Sequence, residues 1–110
     1  MRDCLHRLAG QEDIPAAQVT AIGAFARATI RYFDRDAKEY RPIPAEEQVE
    51  VVSLNGNIAL DGSGQPKLHL HAVPGRKDGA AMGGDLESGH VRPTLEVIIT
   101  EMPGASPARA

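Results

Sequence analysis

From Pro93 to Met102 apolar and polar residues take turns, with Leu95, Val97 and Ile99 on one face and Thr94, Glu96, Ile98 and Thr100 on the other. A period of two matches a pleated strand, whose successive side chains point to opposite faces; a helix would scatter the same residues around its circumference. The pattern returns upstream. Val49, Val51 and Ser53 alternate with Glu50, Val52 and Leu54, which reads as a strand with both faces partly covered. Thr29-Ile30-Arg31-Tyr32-Phe33 carries the β-branched and aromatic residues that suit a pleated surface. A chain patterned this way must bury one face of a sheet, and its short turns favour antiparallel pairing.

The punctuation sets the remaining elements. Cys4, Leu5 and Leu8 fall at helical spacing before Gly10, so Arg2 to Ala9 reads as a short helix, followed by a turn from Gln11 to Pro15. Ala17 to Phe33 is extended, with Gly23 as a bulge or a crowded spot. Asp34-Arg35-Asp36 supplies a hairpin turn, and Lys38 to Arg41 a short return strand that Pro42-Ile43-Pro44 breaks. Asn55-Gly56-Asn57 is expected to bend or bulge the next strand at a subunit contact, glycine supplying a positive φ and the amides bonding to local backbone. Pro66 to Val73 is a strand, and Pro74 to Gly84 is irregular. The result is an α+β domain: a central antiparallel β-sheet flanked by one or two helices. Residues 1–102 form the single domain, and 103–110, rich in Pro, Gly, Ser and Ala, form a flexible tail.

Composition narrows the function classes. Aromatic residues make up 4% of the chain and Trp is absent, so the core rests on Val, Ile, Leu and Ala. The formal charge of −3 argues against a broadly basic surface that grips phosphate backbones. No apolar run approaches the roughly 20 residues a membrane helix needs, and the polar Met1-Arg2-Asp3 start lacks the apolar core of a signal peptide. A single cysteine, Cys4, suits a reducing cytoplasm and reads as a small buried hydrophobe. No nucleophile–base pair, phosphate loop or dinucleotide fingerprint is present.

The chemistry concentrates in His69-Leu70-His71 and the downstream Gly83-Gly84-Asp85-Leu86. Residues two apart on a strand share a face, so both imidazoles stand side by side as half of a metal site. The same pair serves equally as a polar face satisfied by hydrogen bonds. Glu50 and Glu96 each sit in an otherwise apolar strand, where a carboxylate must be paired, solvated or functional. Pairing with Arg27, Arg31 or a neighbouring subunit is the favoured role.

Four blocks occur in order: Ala21-Ile22-Gly23-Ala24-Phe25, then Glu50-Val51-Val52-Ser53-Leu54-Asn55-Gly56-Asn57-Ile58, then Leu68-His69-Leu70-His71, then Gly83-Gly84-Asp85-Leu86 with Val91-Arg92-Pro93-Thr94-Leu95-Glu96-Val97. This ordered set closely resembles the PPC domain, conserved in plants and prokaryotes, from about Leu5 to Met102. The resemblance implies a homotrimer built on an antiparallel sheet. It also implies an earlier strand and helix, of which this chain lacks the first strand, so that Met1 is an internal start or trimer partners cover the open edge. Plant members carry an AT-hook centred on Arg-Gly-Arg-Pro, and nothing here matches it; Arg76-Lys77 is the nearest basic pair.

In the family, the His-x-His pair and a third histidine in a Gly-Gly-His-Leu turn can hold a metal, typically zinc. His69 and His71 match, while Asp85 stands in the third place, with His90 five residues on as a weaker substitute. Two histidines and one carboxylate suit zinc or another divalent metal such as Fe(II). The resemblance implies a trimeric, DNA-associated regulatory or interaction module of bacterial type in the cytoplasm, contacting DNA directly or through other proteins. The alternative is a metal-dependent enzyme on a small molecule, since the fold is similar to that of acetolactate decarboxylase. It would use His69, His71 and Asp85, with Glu50 or Glu96 carrying protons.

Overall fold

The computed structural model describes residues 1–102; the expected tail at 103–110 lies outside the described residues. The order is α1 (Arg2–Gln11), β1 (Ala16–Asp34), β2 (Glu39–Ala45), β3 (Val49–Leu60), β4 (Pro66–Gly75) and β5 (Gly84–Glu101). This is an α+β arrangement in which the helix is minor. The strands run β2-β1-β3-β4-β5, all antiparallel, and β1 also pairs with β5, so β1, β3, β4 and β5 close into a ring. A closed ring satisfies backbone groups that an open sheet would leave at its edges.

The helix runs through Gly10 instead of stopping there. Just past its C-cap Glu12, Asp13 takes φ 51° while the Asp13 N–H bonds Gly10 O at 3.4 Å and the Ile14 N–H bonds Ala9 O at 3.0 Å. That is a Schellman ending with aspartate in the left-handed position, where its short side chain is tolerated. Leu5 and Ala9, one turn apart, bury on the barrel. Cys4 faces the other way and is exposed, contrary to the buried position expected of it.

Gly23 marks a true irregularity: the β1–β3 register shifts between Ala21 and Gly23. A Cβ there would collide with the carbonyl of Thr94 on β5. Beyond it, Gly23 pairs with Leu95 and Phe25 with Val91, so Arg92, Pro93 and Thr94 face Ala24 alone. Proline in this bulge costs no ladder bond, and β5 therefore extends back to Gly84 through residues 85–92, to which the sequence alone assigns no element. The shifts also bring Phe25, Ala28 and Ile30 into one core, although strict alternation would separate Phe25 from the other two.

Two further expectations are corrected. Pro42 and Pro44 do not break β2; they lie within it, opposite Arg31 and Thr29. The sheet order leaves β2 with β1 as its single neighbour, and on such an edge a missing N–H is harmless. Asn55-Gly56-Asn57 does not bulge β3 either, because its register with both β1 and β4 is continuous there and Gly56 has no positive φ. The β3–β4 shift lies earlier, between Val51 and Ser53.

The interior is apolar. Val19, Phe25, Ile30, Val49, Leu54, Ile58, Leu70 and Leu86 are its largest fully buried hydrophobic side chains. Each contributes about 1.5–3 kcal/mol by leaving water. Among the described residues no polar or charged residue is fully buried. All of the chemistry therefore sits on the outer surface of the ring and at its seam.

Candidate functional site

The seam lies between β4 and β5. These strands pair at only two positions, His71 with Asp85 and Ala72 with Gly84. Beyond them the strands part, and Arg2 from α1 bridges the gap. Its Nη1 donates to Leu86 O at 3.0 Å and its Nη2 to Leu68 O at 3.4 Å. Where the two strands part, the helix end and not a strand meets the carbonyl of Leu68.

Alternation on β4 buries Leu68, Leu70 and Ala72 and turns His69 and His71 outward, His69 half-buried and His71 exposed. The register then lays polar groups in rows, with Gln18, Asn57 and His69 across β1, β3 and β4 and Thr20, Asn55 and His71 beside them. Asn55 Nδ2 donates to Ser53 Oγ at 2.7 Å. Asn57 Oδ1 is buried without a hydrogen-bond partner among the described residues. Gly56 lets β3 and β4 approach in the middle of this array, since a Cβ there would fall on the carbonyl of His69.

Asp85 is the register partner of His71, but its carboxylate is engaged elsewhere. Arg31 Nε donates to Asp85 Oδ2 at 2.5 Å, and both side chains are largely shielded, at 28% and 20% exposure. The Arg31 guanidinium also stacks on Tyr40, 4.2 Å from the ring centroid. Gly84 permits this geometry, because a Cβ there would meet Arg31 O at 2.8 Å. A Cβ on Gly83 would make only ordinary contact, with Val73 at 3.7 Å, so packing does not require that glycine. Arg2, Arg31, Lys67, His69 and Asp85 line one cleft of about 510 Å³ along the seam.

The other expected residues lie apart. His90 is exposed on β5 opposite Arg27, five residues beyond Asp85, in a separate cleft with Glu46 and Ser88. Glu50 and Glu96 are exposed, and neither joins an ion pair among the described residues; Arg31 belongs to Asp85 instead.

The metal implied by the resemblance can be tested against these donors. Asp85 already accepts a charged hydrogen bond from a guanidinium, which a divalent cation would have to displace or sit beside. Among the described residues, no three of His, Cys, Asp and Glu gather in a group that would hold a metal. His69, His71 and Asp85 do not fit a resident ion as a trio.

Sequence reasoning missed Arg2 and Tyr40, and it marked Arg31 as an ion-pair residue but with Glu50 or Glu96 as its partner in place of Asp85. No local signal marks these contacts, because each is made through strand register or helix docking.

These features define a small antiparallel β domain with one docked helix and a charged cleft at its seam. The chain belongs to the Plants and Prokaryotes Conserved (PCC) domain family, whose model matches residues 1–103. Its fold is similar to that of a plant- and prokaryote-conserved protein from Pyrococcus horikoshii, with 32% identity over 94% of this chain and 71% of that one, at a TM-score of 0.88. A metal-containing protein from Archaeoglobus fulgidus is 34% identical over 98% of this chain and 75% of that one, at a TM-score of 0.87. A Bacteroides thetaiotaomicron protein with a provisional DNA-binding description is 30% identical over 94% of this chain and 71% of that one, at a TM-score of 0.86. No curated protein matches the chain.

Proposed function

We propose that this chain is an interaction module that assembles as a homotrimer in the cytoplasm and serves regulation by associating with DNA through a partner protein. The observation that carries this reading is an apolar patch on the outside of the ring. Ile22, Val52 and Ile98 are 59%, 60% and 66% exposed and line one groove with Thr20, Asn55 and Glu96. Contiguous exposed apolar surface with a polar rim marks an association face. Family membership and the provisional description of a similar protein support the link to DNA. The net charge of −3 and the outward rows of side-chain amides, which carry no positive charge, favour an indirect link.

Light scattering on the purified protein tests the assembly. The expected mass is three times the 11.7 kDa of one chain, falling to that of the monomer in Ile98→Lys; a monomeric wild type removes the reading. Fluorescence anisotropy with a labelled duplex over a salt series tests the contact. The expected result is no saturable binding at physiological salt, and a steep salt slope would show direct phosphate contact instead. The metal-dependent enzyme reading has no comparable support, because its three ligands are not assembled around a common point.

A further inference from the structure

We infer that the seam cleft binds a small oxyanion, a phosphate or carboxylate group, with the Arg31 guanidinium supplying the positive charge at the place where the family resemblance expects a metal. Three observations carry this. First, the fixed charges lining the cleft are unbalanced: Arg2, Arg31 and Lys67 face Asp3 and Asp85, with His6 and His69 beside them.

Second, Arg31 is held ready. Its Nε is fixed by Asp85 Oδ2 at 2.5 Å and its plane by Tyr40 at 4.2 Å, while its two terminal amino groups form no hydrogen bond among the described residues. A guanidinium whose plane is already set presents two parallel donors to a phosphate or carboxylate and loses little freedom on binding it. Asp85 is a positioning residue in this arrangement.

Third, Arg2 is anchored on both sides of the seam, to Leu68 O and Leu86 O, so it lends charge to a fixed wall. Phosphate-bearing or carboxylate-bearing groups fit this cleft, whereas a divalent cation would meet the guanidinium first. The concave site at a strand seam suits one group and not a row of duplex phosphates.

The test follows the arginine Nε–H signal of Arg31 by ¹⁵N NMR while inorganic phosphate, acetate, zinc chloride or a short DNA duplex is added to the purified protein at low salt. Phosphate and acetate are expected to shift that signal saturably in the millimolar range. Calorimetry is expected to show phosphate binding weakened about tenfold in Arg31→Gln. Because that variant leaves Asp85 unpaired, Lys67→Gln, which removes no hydrogen bond or ion pair of the fold and only a weak charge attraction to Asp61, is measured as well and is expected to weaken phosphate about threefold. The inference is overturned by an unmoved Arg31 signal, or by phosphate binding unchanged in both variants. It is overturned equally by one tightly held zinc per chain with His69 and His71 shifted, or by duplex binding through Arg31 without a phosphate response.

Discussion

Gly56 on β3 stands against the carbonyl oxygen of His69 on β4, so closely that no side chain fits between the two strands. The close approach holds the polar rows of Gln18, Asn57 and His69 and of Thr20, Asn55 and His71 in register. Gly56→Ala is expected to destabilise the fold by about 1–3 kcal/mol, the range for forcing atoms into a packed site. A denaturant titration measures it, and a midpoint equal to that of wild type would show that the strands part at no cost.

Phe25 and Gly89 form a second such pair, with the ring of one filling the place of the other's side chain. A Cβ on Gly89 would meet Phe25 Cζ at 2.6 Å, and Phe25 is fully buried. Phe25→Ala is expected to cost about 3–5 kcal/mol. Gly89→Ala alone overpacks the ring, whereas in the double variant the new methyl group enters the space the ring has left. The expected signature is a double-mutant cycle in which the pair loses less than the sum of the single losses. Additive losses would mean that the cavity collapses by other means.

What the sequence discloses depends on whether the cause is local. The outward and inward faces of Leu95, Val97 and Ile99 follow from their own spacing, and the structure keeps them on the half-buried side. Gly23 is legible because a lone glycine in an extended run has few other reasons to be there. The rest is set by partners far along the chain. Pro42 and Pro44 look like breakers until β2 proves to be an edge, and Pro93 looks like a strand start until a bulge absorbs it. Arg31 and Asp85 are 54 residues apart, and only the β1–β5 register joins them. The histidine pair could be placed on its face from spacing alone; the commitment of its third partner could not.

That commitment can be reversed by one substitution. Asp85→His removes the carboxylate that engages Arg31 and puts a third imidazole directly across from His71. Three imidazoles make an open tetrahedral site. The variant is expected to take up one Co²⁺ per chain, seen as visible d–d absorption, while wild type takes up none. Equal uptake by both would mean that Asp85 leaves Arg31 to bind the ion.

Asp61, at the start of the β3–β4 turn, should show its role in a pH titration. Its Oδ1 accepts hydrogen bonds from the Gln65 N–H at 3.0 Å, the Ser63 hydroxyl at 3.0 Å and the Ser63 N–H at 2.9 Å. The Gln65 bond is the largest cause holding this carboxyl below its ordinary value of 3.8, followed by the Ser63 hydroxyl and the Ser63 N–H, with Lys67 adding a weaker pull. A carboxylate lowered in the folded state binds its proton more readily when unfolded. Its contribution is therefore complete above the ordinary value and is lost as pH falls through the lowered one. Asp61→Ala is expected to melt below wild type at neutral pH, with the gap closing as the solution is acidified past the ordinary aspartate range. Melting curves over that series measure it, and a gap independent of pH would assign the effect to turn geometry and not to the ionised acceptor.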